Sequence, residues 1–262
     1  MRVTFWGVRG SVPVSGGGFA RTGGNTTCVE IEHDGAQLVL DGGTGLAALG
    51  ASRAGPMDAA LLFTHVHWDH IQGVPFFRPA FDPRSRLRLV GAPGTYAALD
   101  AQMRPPSFPV GMDAFRAALE PMEILPEREL HLGPFVVRAA EMTHPNGVYC
   151  YRIEAAGHSV VFATDVEHGD ALDPRLVDLA RGADLLIHDA QYTDAEYPSR
   201  RGWGHSTWEQ ALELADTARA GRVALFHHDP LRTDPELAQI ESVATRRHHT
   251  AFAAREGVVV AL

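Results

Sequence analysis

The stretch "THVHWDHIQG", Thr64 to Gly73, places His65, His67, Asp69 and His70 within six positions. An imidazole or carboxylate buried without a partner costs roughly 1–3 kcal/mol or more. A hydrophobic core therefore has little use for such a cluster, whereas a metal ion does. Imidazole and carboxylate together suit zinc, manganese or iron. The apolar run "MDAALLFTH" that precedes the cluster predicts a strand buried on both faces. Alternate residues of a strand face one way, so His65 and His67 would meet at one point past its end. Asp69 and His70, in the turn that follows, would aim at a second point close by. A two-metal centre needs more ligands than this segment supplies.

Those ligands stand downstream, again directly after apolar strand-like runs: His144 in "MTHPNG", Asp165 in "FATDVEHG" and His227 in "VALFHHDP". With "HVHWDH" they complete two ligand shells and imply two divalent metal ions, zinc or manganese.

The elements that must position these residues follow from patterning. Glycine turns separate "RVTFWGV", "CVEIEH" and "AQLVLDGGTG" at the start, which read as strands of one antiparallel sheet. A second β-rich group comprises "LRLVGA", "FVVRAAEMTH", "VYCYRIEAAG" and "HSVVFATD". Helical periodicity marks "GTYAALDAQM", "MDAFRAALEPM" and "DPRLVDLARG". It is clearest in "STWEQALELADTARAG", capped by Ser206 or Thr207 at the start and Gly221 at the end. "DPELAQIESVATRRHHTAFAARE" reads as one more amphipathic helix, with His248 and His249 as solvated residues. No long Ser/Gly linker and no repeat divides the chain, so residues 1–262 are expected to form a single α/β domain of two face-to-face sheets with helices outside. The proline-rich "MRPPSFPVGMD" predicts a stiff surface connection, or a lid whose Phe108 packs on a substrate.

Composition narrows the function classes. The 262 residues are 45% hydrophobic, enough for a sizeable core, and carry a net charge of −9. That balance disfavours long nucleic acid as a partner, since binding driven by phosphate neutralisation usually shows a basic surface. No lysine is present, which removes a Walker-type phosphate loop and Schiff-base chemistry. The two cysteines, Cys28 and Cys150, sit in strand-like runs and read as buried side chains. With no signal-like or membrane-length apolar run, a cytoplasmic protein is expected, a homodimer being the common default.

Over nearly its whole length the sequence resembles the metallo-β-lactamase-fold hydrolases, whose fold is a four-layer αββα sandwich. The resemblance implies His65, His67 and His144 on a first metal, Asp69, His70 and His227 on a second, and Asp165 bridging both. It also implies a supporting role for Asp41 in "LVLDGGTG". The β-lactamases usually have a cysteine ligand, and flavodiiron oxygen reductases have glutamate where His67 stands, so antibiotic hydrolysis and redox roles are disfavoured.

"ADLLIHDAQYTDAEY", "GWGHSTWEQALELA" and "LFHHDPLRTD" resemble the tRNase Z and PhnP-like phosphodiesterase branch. That branch has a His-Glu-Ala-Thr segment, replaced here by "HDAQ" with Asp189, and a His-Ser-Thr segment, retained here with His205. Asp69, His205 and Asp189 are the candidate catalytic residues. A hydroxide bridging the metals would attack phosphorus while His205, oriented by Asp189, assists the leaving group. The extended tRNA-gripping arm of tRNase Z enzymes has no counterpart, so the expected substrate is a small phosphodiester, a cyclic nucleotide above all. Alternatives are tRNA 3′-end processing, ester, thioester or lactone hydrolysis, and a non-catalytic nucleotide sensor. Arg200, Arg201 and Arg232 are candidates to meet a phosphate, and Trp203 and Tyr197 to stack on a base.

Overall fold

The computed structural model describes residues 1–126 and 128–262. The first sheet runs β1 (Arg2–Gly7), β2 (Cys28–His33), β3 (Ala36–Leu40), β4 (Asp58–Leu62), β5 (Arg86–Gly91) and β6 (Ala118–Glu123) side by side, with β14 (Val259–Ala261) on the far edge of β1. The second runs β7 (Leu130–Leu132), β8 (Phe135–Met142), β9 (Val148–Ala155), β10 (His158–Ala163), β11 (Leu185–Asp189), β12 (Arg222–Phe226) and β13 (Ala251–Ala253). Hairpin-linked strands pair antiparallel, whereas β3 to β6 and β10 to β13 run parallel. Parallel neighbours need crossovers, and these supply the helices: α1 (Thr44–Ser52), α3 (Thr95–Gln102), α4 (Pro174–Ala180), α5 (Trp208–Ala218) and α6 (Asp234–Arg247). A four-residue α2 (Trp68–Ile71) follows β4.

Period-two alternation sorts the strands into layers. In β10, Val160 and Phe162 face the cluster shared with Phe5 and Ile31 of the first sheet, while Val161 and Ala163 face Leu176 of α4 and Leu212 of α5. On the opposite side, Leu61 and Leu89 pack under Leu46 of α1 and Leu99 of α3. The result is the αββα sandwich, each large apolar side chain contributing about 1.5–3 kcal/mol when fully buried.

Several elements differ from the sequence expectation. "MDAFRAALEPM" is not a helix: a short turn at Met112–Ala114 leads into β6, because β5 offers an open edge to pair with and tertiary pairing overrides propensity. The last predicted helix stops at Arg247, and Ala251–Ala253 becomes β13 beside β12. Helix α1 escaped the patterning, since Gly45 and Gly50 weaken its helical signal. Helix α5 carries a capping box, Thr207 with Gln210, but closes at Arg219 in the left-handed region (φ 56°). Gly221 instead donates its N–H to Ala183 and enters β12.

Cys28 and Cys150 are buried free thiols that burial pushes up. Phe108 meets Phe76 edge-on at 5.8 Å and packs on the outer cluster of the first sheet. No helix among the described residues is long and apolar enough to cross a membrane.

Candidate metal centre

The parallel strands of both sheets end at one edge, and the chain leaves them through unusual backbone. Asp41 after β3, Asp165 after β10 and His227 after β12 have φ of 60°, 55° and 55°. Left-handed backbone at a non-glycine residue is strained, by about 1–3 kcal/mol in sparsely populated regions. Here it turns three polar side chains inward from strand ends in both sheets. β4 stops at Leu62, so His65 and His67 do not lie on a strand as expected; an extended segment carries them, and Asp69 and His70 lie in α2 rather than a turn.

Ring centroids of His65 and His67 are 4.4 Å apart, and each lies 4.9 Å from His144. Asp165 divides its carboxylate between two groups. Its Oδ2 faces His65 Nε2 at 3.8 Å and His144 Nε2 at 3.7 Å, and its Oδ1 faces His70 Nε2 at 3.2 Å and His227 Nε2 at 3.0 Å. Asp69 Oδ2 completes the second group, 3.3 Å from His70 Nε2 and 3.2 Å from His227 Nε2. The seven expected ligand residues thus form adjoining groups of potential donors, buried except for the half-buried His67 and His144.

Partners outside the cluster fix which nitrogen faces inward. Asp41 accepts from His70 Nδ1 at 2.8 Å, and Gly204 O accepts from His144 Nδ1 at 2.8 Å. Thr64 donates its N–H and hydroxyl to Asp41, which leaves His65 Nδ1 to donate to the Thr64 oxygen at 3.0 Å. Each ring therefore turns an Nε2 lone pair toward the carboxylates of Asp69 and Asp165, which also only accept. Nε2 of His65 and of His70 are buried without a hydrogen bond among the described residues. Without an ion, burial lowers the His70 imidazole, but Asp165, Asp69 and Asp41 outweigh it and raise the group well above its ordinary value. A divalent cation would displace such protons and take up the Nε2 lone pairs beside the carboxylates.

Burial pushes the Asp165 carboxyl up, but His227 and His70 outweigh it and hold it well below the ordinary range. Desolvation likewise raises Asp69, and His70 and His227 pull it down below its usual value. Burial drives His65 well below an ordinary histidine, toward the neutral form that binds metal.

Beside the cluster, His205 Nδ1 meets Asp189 Oδ2 at 2.8 Å, and the ring stacks on His227 at 5.1 Å. Burial opposes its charge, but Asp189 prevails and raises the imidazole to about 9.

Four contributors had no clear mark in the sequence. Ser11 N–H donates to Asp69 Oδ2 at 2.7 Å, and Thr64 links Asp41 to His65. Glu167 accepts Tyr197 OH at 2.8 Å and the N–H groups of Gly202 and Gly204 at 2.7 and 2.8 Å, fixing the loop before His205. Gly204 itself has φ +87°, and a Cβ there would fall 2.1 Å from His144 Nδ1. The "GWGHST" glycines were the available signal.

Of the auxiliary candidates, Tyr197 is buried on Glu167 and offers no face to a base. Arg201 pairs with Asp170 and Arg232 with Glu196. Arg200 lies over the rings of Tyr192 and Trp203 at 5.2 and 5.4 Å, and Trp203 is 60% exposed.

Sandwich and cluster define a metal-dependent hydrolase of the metallo-β-lactamase fold. Residues 8–228 match the model of the beta-lactamase superfamily domain, and the chain belongs to that family. It is 31% identical over 216 residues to ribonuclease Z of Mycobacterium tuberculosis, covering 75% of this chain and 77% of the relative. Among solved structures, the metallo-beta-lactamase fold protein YhfI from Bacillus subtilis superposes with a TM-score of 0.78 at 21% identity, covering 99% of this chain and 98% of that one. Human tRNase Z, short form, does so with a TM-score of 0.73 at 20% identity, covering 100% and 99%. The ribonuclease Z relatives correct the expectation of a small-molecule partner with long nucleic acid disfavoured. A net charge of −9 sums the whole surface, whereas a substrate meets only the mouth of the site.

Proposed function

We propose that the protein is a binuclear metal-dependent phosphodiesterase that hydrolyses RNA. The observation that carries this reading is the Asp189–His205 pair at 2.8 Å, stacked against the cluster. An alkoxide leaving phosphorus needs a proton donor, and His205 stands where one can act. The ribonuclease Z relatives support RNA as the substrate class.

In this reading His65, His67 and His144 would hold one ion and Asp69, His70 and His227 the other, with Asp165 shared between them; zinc and manganese both suit the set. The ions supply positive charge against the phosphoryl oxygens and water activation near neutral pH. The remaining work falls to the chain. Asp189 holds His205 by Nδ1, which leaves Nε2 to donate a proton to the departing oxygen. Ser11 N–H orients Asp69, and Asp41 holds His70. Residues 1–262 act as one domain in this reading, supported by a core cluster that runs from Val3 to Val260 across both sheets.

The test compares a precursor tRNA, bis(p-nitrophenyl) phosphate, 2′,3′- and 3′,5′-cyclic AMP and a p-nitrophenyl carboxyl ester after restoring Zn²⁺ or Mn²⁺. Metal-dependent cleavage of the tRNA with little ester turnover is expected. Preference for the ester overturns the phosphodiesterase reading, and turnover of cyclic AMP alone overturns RNA as substrate.

A further inference from the structure

Next to the cluster, a cleft of about 400 Å³ opens along the seam between the two sheets, with His65 and His67 at one end. Its size falls within the roughly 300–1,000 Å³ of small-molecule sites. The backbone of Tyr149, on β9, donates to Thr64 O at 2.9 Å and closes the floor between the sheets. Val66, Pro93 and Val148 supply apolar walls, and the polar groups are few. Asn146 at the rim lies 3.3 Å from His67 Nε2, which ties the cleft to the metal cluster. Glu141, near the end of β8, is exposed and lines the cleft, its Oε1 3.3 Å from where a Cβ on Gly147 would stand. The Glu141 side chain makes no hydrogen bond or ion pair among the described residues, with Arg175 a cation in its electrostatic range, so the exposed carboxylate is open to a ligand.

We propose that this cleft is a nucleobase subsite selective for guanine, placing a guanosine of the substrate beside the scissile diester. The proposal rests on the phosphodiesterase reading and adds a base preference to it. Apolar walls suit the face of a base. The edge decides which base. A carboxylate only accepts, and its two oxygens match two neighbouring donors. Guanine presents such a pair, N1–H beside the N2 amino group. Adenine and cytosine each set one amino donor beside a ring-nitrogen acceptor, and uracil flanks its single N–H with carbonyls. Each of those bases would place at least one lone pair against a Glu141 oxygen.

The experiment is calorimetric titration of the metal-loaded protein with the 5′-monophosphates of guanosine, adenosine, cytidine and uridine, repeated on Glu141→Gln. The phosphate contribution is common to all four and cancels in the affinity ratios. Guanosine monophosphate is expected to bind about tenfold or more tighter than the other three, and Glu141→Gln to reduce that ratio below about threefold. Equal binding of the four nucleotides overturns the subsite, as does a guanine preference that survives in Glu141→Gln. Because Glu141 is exposed, the variant is expected to melt as the parent does, and a thermal scan checks it. Hydrolysis of bis(p-nitrophenyl) phosphate is followed in parallel. Base preference without diester turnover would sink the phosphodiesterase reading alone, and turnover without base preference would sink the subsite alone.

Discussion

Asp189 Oδ2 accepts from His205 Nδ1 at 2.8 Å and from the backbone N–H of Asp165 at 3.0 Å. One buried carboxylate therefore fixes both the candidate acid and the residue whose two oxygens divide between the two histidine groups. His205→Ala is expected to lower kcat on a diester by about 10²–10⁴-fold while metal content, measured by elemental analysis, stays at the parent level. Turnover equal to the parent would remove His205 from the reaction. Asp189→Ala goes further, because it strands the buried Asp165 N–H and should also cost about 1–3 kcal/mol of stability.

Asp41 reaches the centre only through other residues: it accepts from His70 Nδ1 and from the Thr64 backbone and hydroxyl. Asp41→Asn keeps the shape and removes the charge behind His70. Affinity for the ion that His70 would hold should fall about 10–100-fold, read by competition with a chromogenic chelator. An unchanged affinity would leave Asp41 with a purely structural part.

Gly204 combines φ +87° with a Cβ position 2.1 Å from His144 Nδ1. Gly204→Ala must displace either that ring or the loop leading to His205. The expected outcome is a protein that folds with a lower Tm, binds less metal and loses most of its turnover. A variant indistinguishable from the parent in all three would mean that the loop relaxes without moving His144.

A second histidine pair lies behind Asp189. Asp173 N–H donates to His168 Nδ1 at 3.2 Å, His168 Nε2 meets His188 Nε2 at 3.1 Å, and His188 Nδ1 donates to Asp189 O at 2.7 Å. Both rings must be neutral for this chain to form. Burial and the facing His188 hold His168 down at about 3, against a smaller opposing pull from Asp173. The unfolded chain binds the proton near 6.5, so stability is full above that pH and falls on acidification between about 6.5 and 3. The loss is up to about 1.4 kcal/mol per pH unit for one proton. Denaturant melts of the parent and of His168→Gln across this window check it: the variant should lose less stability on acidification. Equal slopes would refute the assignment.

Much of the centre was legible in local sequence. Histidine and aspartate after apolar runs mark strand ends, and period-two alternation reports which faces are buried, because both depend on residues only a few positions apart. So "THVHWDHIQG", His144, Asp165 and His227 could be picked out before any fold was known, as could the αββα resemblance. Edge elements were less legible. β6 and β13 take their conformation from an open neighbouring strand, which no local pattern encodes.

What the sequence by itself determined is the inventory: which residues can ligate, which can move a proton, and roughly where strands deliver them. Tertiary structure alone decided their orientation. Asp41 meets Thr64 across 23 residues and His144 meets Gly204 across 60, and these contacts choose which imidazole nitrogen faces the cluster. The same is true of the cleft beside Glu141, whose walls come from both sheets. A side chain's chemistry belongs to its residue type, but its direction and protonation belong to the partners that folding places around it.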